Sequence, residues 1–233
     1  MTVKRMRPWT NEAALPAVAA LRPQIIDMST DNIAELAMLA KDLGDVIPLW
    51  YGESDLVTPA FVRDAAKALD QGMTFYIPNM RGYPPLTEAI AAYQSKLYGQ
   101  SIAVERSTVA PSGMQAMAMA MTLLVDTGQN VVIVEPQWPN TRHAVHMVGG
   151  EPRGVALTYA DRDWTLDLDR VFAACDARTR AIVFSSPANP TGWVATPADL
   201  QALLAFSRKT GIWIIADEVY ARLYFEGNVA PSI

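Results

Sequence analysis

Residues 181–220 read AIVFSSPANPTGWVATPADLQALLAFSRKTGIWIIADEVY, and their pattern decides the fold. Ala181, Ile182, Val183 and Phe184 form a short apolar run, the signature of a strand buried on both faces of a parallel sheet. The run breaks at Ser185, where two prolines and Gly192 over the next seven positions forbid further ladder pairing. Thr196 or Pro197 then opens a helix, Leu200, Leu203 and Leu204 supply its apolar spacing, and Gly211 closes it. Residues 212–216, Ile-Trp-Ile-Ile-Ala, are a second buried strand that runs into Asp217, Glu218, Val219 and Tyr220. Strand, loop, helix and strand follow one another, and each strand ends on polar groups.

In open α/β sheets ligands bind outside the carboxyl ends of the strands. Asn189 and Asp217 therefore face one crevice although 28 positions separate them. An NPTG turn after one strand and DEVY after the next resembles the class I/II aminotransferases of the aspartate aminotransferase superfamily, the fold-type I pyridoxal-phosphate (PLP) enzymes. The resemblance implies that Asp217 pairs with the pyridine nitrogen, and that Asn189 and Tyr220 bond the ring's 3-oxygen. Glu218 is skipped by the family's ring contacts and reads as structural. On their own, Asp217 is a capping residue and Asn189 an Asx-turn residue.

Upstream segments extend the resemblance over roughly residues 30–226. Ser112, Gly113 and Met114 start a helix, where free backbone N–H groups bind anions. In the family this turn cradles the PLP phosphate, and Met114 can offer only its amide. Trp138 stands two positions after Pro136, where the family stacks an aromatic on the cofactor ring. Tyr76, Gly82, Leu86 and the run Ala89, Ile90, Ala91 match a segment whose tyrosine reaches across a dimer interface to the partner's PLP phosphate. Gly52, within Trp50-Tyr51-Gly52-Glu53-Ser54-Asp55, matches a segment whose glycine backbone approaches the substrate carboxylate; Ser54 replaces the usual proline. The implied substrate contacts are Gly52, Trp138 and Asn189.

The intervening chain predicts a helix over residues 29–44, a strand over 46–49, a helix from Thr58 to Leu69 and a short helical stretch over 13–21. A short strand over 108–111 leads into the 112 turn, and further strands cover 130–134 and 151–157. Asp161 to Trp164 is a turn, and Asp167 starts a helix through Ala174. This alternation predicts an α/β fold, a mostly parallel, doubly wound sheet with right-handed crossovers. Residues 1–50 read as an N-terminal arm and part of a smaller domain, and 51–233 as the PLP-binding large domain, incomplete at its C-terminal end.

Composition narrows the class. Of the 233 residues 51% are hydrophobic and 18% charged, enough for a sizeable core. A net charge of −5 gives no electrostatic case for nucleic acid or an anionic membrane. No apolar run approaches the ~20 residues that span a bilayer, and no hydrophobic segment follows Lys4, Arg5 and Arg7, so the cytoplasm is expected. The single Cys175, in an apparent helix, reads as a buried small hydrophobe. His143 and His146, three apart on a helix, lack a third ligand and read as surface or packing residues rather than a metal site. A nicotinamide-binding reading fails for want of the glycine fingerprint.

The family's Schiff-base lysine follows the D-E-x-Y motif within Ser-x-x-Lys. The five lysines here are Lys4, Lys41, Lys67, Lys96 and Lys209, and none follows Tyr220. The carboxylate-binding arginine is likewise unmatched, so the chain reads as the N-terminal portion of a longer enzyme and as inactive alone. The expected parent is a homodimeric aminotransferase moving an amino group between an amino acid and a 2-oxo acid. A PLP-dependent carbon–sulfur lyase or aminocyclopropane-carboxylate-synthase-like enzyme shares the same residues, and a non-catalytic fragment or sensory domain is the alternative of another class.

Overall fold

A computed structural model describes Arg22, Ile25 and residues 32–40, 43, 45–52, 54–72 and 76–233. At its centre four parallel strands lie in the order β2-β1-β5-β6. They are β1 (Asn130–Glu135), β2 (Glu151–Ala156), β5 (Thr179–Ser185) and β6 (Trp213–Asp217). The register runs Val132 to Ile182 and Ser185 to Asp217, so the strands end close to one level.

The sheet is covered on both faces, and strand parity assigns each residue to one of them. Val131, Ile133, Ala181 and Val183 pack with Met117, Met121, Ala144 and Val145. These come from helices α4 (Gly113–Leu124) and α5 (Asn140–Met147). Val132, Val134, Ile182 and Phe184 face the other way, onto Val171, Leu200 and Leu203 of α6 (Leu168–Ala173) and α7 (Pro197–Thr210). Phe172 and Phe206 stack at 4.2 Å between those two helices. The expected doubly wound parallel sheet is therefore present.

The helix ends follow their sequences. Thr196 caps α7 with a reciprocal capping box: its hydroxyl accepts from the Asp199 amide at 3.1 Å, and Asp199 accepts from the Thr196 amide at 2.9 Å. Gly211 ends the helix in the left-handed region at φ 76°. Asp167 caps α6 as expected.

Several expectations are corrected. Residues 46–49 form no strand; Ile47 and Leu49 are 81% and 87% exposed, and among the described residues no strand pairs with them. Residues 108–111 are also coil: the bond from the Val109 amide to the Arg81 carbonyl at 2.8 Å ties them to a loop instead of a sheet. The helix expected over 58–69 divides into α2 (Ala60–Ala65) and a 3-10 segment (Ala66–Gln71) that kinks at Lys67. Helix α1 (Asn32–Ala40) lies within the expected span, and its candidate caps Ser29, Thr30 and Asp31 lie outside the described residues, as does the stretch 13–21. Cys175 lies just beyond α6, half-buried, with its thiol donating to the Val171 carbonyl at 3.4 Å. The turn at Asp161 and Arg162 joins a hairpin of β3 (Thr158–Ala160) and β4 (Asp163–Thr165). Both turn residues hold positive φ, 52° and 68°, which matches the right-handed twist of a two-residue hairpin.

Helix α3 (Pro84–Tyr98) follows Gly82. At φ 124°, a Cβ on Gly82 would stand 2.9 Å from Val109, so only glycine lets these loops approach.

Candidate active site

The carboxyl edge of the sheet collects the candidate residues. Asp217 ends β6 opposite Ser185. It shares the parity of Ile215, which packs on the α4 and α5 side, so its carboxylate belongs to that face. Its Oδ1 accepts from the Val219 amide at 3.2 Å, and its carbonyl accepts from the Ser186 amide at 3.0 Å. The second bond extends β5–β6 pairing one step past the strands.

Asn189 lies in the neighbouring loop, which is held by its own bonds. The Ser186 hydroxyl accepts from the Ala195 amide at 3.0 Å, the Ala188 amide donates to the Trp193 carbonyl at 2.9 Å, and the Gly192 amide donates to the Ala188 carbonyl at 2.8 Å. Trp193 is buried edge-on against Phe184, anchoring the loop from below. Asn189 is left half-buried at the sheet edge, as are Tyr220 and Trp138.

Helix α4 reaches the same edge with its N-terminus. Its last carbonyl, Leu124, accepts from Arg180 Nε at 3.1 Å near the start of β5, so the helix runs antiparallel to the strands. Twelve residues rise about 18 Å, close to the length of a six-residue strand. Ser112 caps the helix by accepting from the Gln115 amide at 3.1 Å. The amides of Gly113 and Met114 have no acceptor among the described residues. A Cβ on Gly113 would meet nothing within 4 Å, so the turn is open. The Met114 side chain packs against the core, leaving its amide as the group available.

Two candidates stand apart. Tyr76 is fully exposed and Gly52 lies in an exposed loop. Among the described residues no hydrogen bond ties either to the strand ends.

Sequence reasoning missed four supporting residues: Glu135, Arg142, Gly154 and Gln137. The Glu135 carboxylate accepts from Arg142 Nε at 3.0 Å and Nη2 at 2.7 Å, bracing the loop of Pro136, Gln137 and Trp138 between β1 and α5. Gly154 leaves room for that carboxylate, because a Cβ there would collide with Glu135. A glycine inside a strand was the available signal. Gln137 holds a buried side-chain nitrogen without a partner, the one such atom among the described residues. An unbonded buried donor costs on the order of 1–3 kcal/mol, so Gln137 is a donor available to a ligand.

His143 and His146 lie half-buried on α5. Burial first, and then the neighbouring Arg142, lower the His146 pKa. No group of three metal-ligating side chains occurs among the described residues. Two surface depressions, of about 250 and 400 Å³, lie elsewhere: one is lined by Asn79, Arg81 and Ser107, the other by Cys175, Arg180 and Phe206. Asp217, Asn189, Tyr220, Trp138 and the start of α4 lie instead at the carboxyl edge of the sheet.

A doubly wound sheet whose carboxyl edge carries a helix start with unbonded amides and a strand-end carboxylate has the architecture of α/β proteins in which that edge is the usual ligand side. The sequence profile of the family "Aminotransferase class I and II" matches residues 44–233, and the chain belongs to that family. It is 35% identical over 185 residues to an aspartate/prephenate aminotransferase from Thermus thermophilus, covering 79% of this chain and 48% of the relative. It is 32% identical over 201 residues to an aspartate aminotransferase from Pyrococcus abyssi, covering 85% of this chain and 51% of that one. Among solved structures, N-succinyldiaminopimelate aminotransferase from Mycobacterium tuberculosis superposes with a TM-score of 0.82 at 30% identity, covering 91% of this chain and 56% of that chain. Aspartate aminotransferase from Thermotoga maritima gives 0.83 at 29% identity, with 91% and 57% covered. The chain spans about half the length of the curated relatives it matches.

Proposed function

We propose that the protein to which this chain belongs is a PLP-dependent aminotransferase that exchanges an amino group between an amino acid and a 2-oxo acid. The observation that carries this reading is the convergence of Asp217, the Asn189 loop and the α4 N-terminus on one edge of a sheet whose sequence matches the family. The donor set suits the cofactor: free amides and a hydroxyl for a phosphate, a carboxylate for a protonated ring nitrogen, and an aromatic face for the ring. The orphaned Gln137 nitrogen adds a donor beside Trp138. PLP, when bound, delocalises the electron pair left at the substrate α-carbon.

The chain's residues prepare that chemistry. Asp217 supplies the negative charge that keeps the ring nitrogen protonated, since an opposite charge within a few ångströms favours the charged form. Asn189 and Tyr220 donate hydrogen bonds to the ring oxygen. Ser112 and the amides of Gly113 and Met114 hold the phosphate, where the helix dipole favours negative charge. Trp138 covers one ring face and restricts water there. Tyr76 of the partner subunit completes the phosphate site in a homodimer, and the Gly52 backbone lies by the substrate carboxylate.

Residues 51–233 are read as the cofactor-binding large domain, and 1–50 as the arm and part of a smaller one. Among the described residues no helix is long and apolar enough to cross a membrane, and the cytoplasm is the proposed compartment. Lys67, Lys96 and Lys209 sit beyond α2, on α3 and on α7, and none is assigned as the residue that would hold the cofactor covalently.

The test supplies the purified protein with PLP, an amino acid and a 2-oxo acid, and identifies the products. A second amino acid together with a new oxo acid is the expected result. Ammonia with pyruvate would make the protein a lyase, and absence of PLP uptake would sink the cofactor assignment. Asp217→Asn is expected to lower the transfer rate by roughly ten- to a thousandfold, the equivalent of losing one to three pKa units of stabilisation.

A further inference from the structure

Between Asp217 and Tyr220 stands Glu218, which the cofactor reading leaves without a role. Its carboxylate enters a half-buried cluster. There it accepts from the Ser232 hydroxyl at 3.0 Å and from the Tyr98 hydroxyl at 3.4 Å, and the Ile233 amide also donates to it. Tyr98 is the last residue of α3, 120 positions away in sequence. Three distant parts of the chain therefore meet on one carboxylate.

The backbone beside it forms a continuous bonded turn. The Val219 amide donates to Asp217 Oδ1 at 3.2 Å. The Glu218 carbonyl accepts from Ala221 at 2.9 Å, the Tyr220 carbonyl from Leu223 at 2.8 Å, and the Ala221 carbonyl from Ala230 at 2.9 Å. Asp217 ends β6 with the parity of Ile215 on the α4 face, while Glu218, the next residue, leaves the strand and meets Tyr98 and Ser232. Any rotation of the turn would move both carboxylates together, so fixing one fixes the other. A carboxylate with several partners in a partly desolvated place holds its geometry better than a solvated pair, because water competes less for those bonds.

We propose that Glu218 is a positioning residue: clamped by Tyr98 and Ser232, it fixes the turn that presents Asp217 and Tyr220 at the carboxyl edge of the sheet. The inference rests on the cofactor reading above for the purpose of the clamp, though not for its existence. Burial raises the Glu218 pKa, with Asp217 adding to the effect, while the bonds from Ser232, the Ile233 amide and Tyr98 oppose it. The Tyr98 phenol is also raised, first by burial and then by Glu218. Tyr98, Ser232 and the Ile233 amide thus touch the Glu218 carboxylate, and the Asp217 charge acts on it from the neighbouring position.

The test compares wild type with Glu218→Ala, Glu218→Gln and Tyr98→Phe. Hydrogen–deuterium exchange is read at the amides of Val219, Ala221, Leu223 and Ala230, without any cofactor, and PLP affinity is measured separately by titration. Glu218→Ala should speed exchange at these amides at least fivefold while those of β1 stay protected, and should weaken PLP binding about tenfold. Glu218→Gln retains an acceptor oxygen and should stay within about twofold of wild type in both. Tyr98→Phe removes one hydroxyl and should fall between them, and it carries the test if Glu218→Ala does not fold. Unchanged exchange in Glu218→Ala, or in Tyr98→Phe where it stands in, would overturn the clamp. So would faster exchange with undiminished PLP affinity. A wild type that takes up no PLP would instead sink the cofactor reading, and the exchange arm would still decide whether the clamp exists.

Discussion

At the scale of single residues, environment separates groups that composition treats alike. Asp217 and Glu218 are neighbours, yet one ends β6 at the edge of the sheet and the other closes a half-buried cluster. For Glu218 the sign of the pH effect follows from its raised pKa. The stability it allows is fully present below the ordinary glutamate value of 4.5 and is lost as pH rises through the higher folded value. Melting curves across this window should show wild type losing stability relative to Glu218→Gln, and parallel curves would refute it. The thiol of Cys175 is pushed up to about 11, chiefly by burial and then by Asp176. At pH 8 it should alkylate on the order of a hundredfold more slowly than a free cysteine, since only the thiolate reacts. Rapid labelling by iodoacetamide would contradict this. Asp176 is held well below its usual range by bonds from Asn130 and Arg153. The sequence placed Asp217, Asn189, Tyr220 and Trp138 at or just beyond strand ends, and the structure has them there. The sequence hid Gly154, whose importance depends on a side chain in the adjacent strand, and the Glu218 partners, which are remote in sequence.

At the scale of elements, punctuation residues were the reliable guide. Pro197, Gly211 and the pair Thr196 and Asp199 mark both ends of α7, and the structure agrees. Thr196→Ala should destabilise the fold by about 1 kcal/mol through the lost cap, as measured by urea unfolding, and Thr196→Ser should recover most of it. An equal loss in both variants would assign the effect to the methyl group instead. Residues 46–49 and 108–111 misled because a short apolar run becomes a strand only where another strand accepts it. The hairpin at 158–165 was missed for the converse reason: its turn uses Asp161 and Arg162, which rarely adopt positive φ, in place of the usual Asn-Gly signal.

For the whole molecule, the chain order of strands and helices was enough to yield the two-faced sheet, since alternating buried runs leave few topologies. What it could not yield was the surface left uncovered. Phe225 and Leu123 are 101% and 81% exposed, and Trp213 on the edge strand β6 is 58% exposed. Large apolar groups exposed on this scale favour association. The 233-residue chain taken alone should therefore show light scattering that climbs with concentration, and a mass constant from micromolar to millimolar would contradict that.

The adjacency of Asp217 and Glu218 at the end of β6 has one more consequence. Because the two acids are adjacent, a one-position slip of β6 would still deliver a carboxylate to the carboxyl edge of the sheet, while exchanging which of Ile214 and Ile215 meets each helical layer. A misthreaded chain would thus keep its charge pattern and differ by a single methylene in reach, so an assay sensitive only to charge would pass it as native.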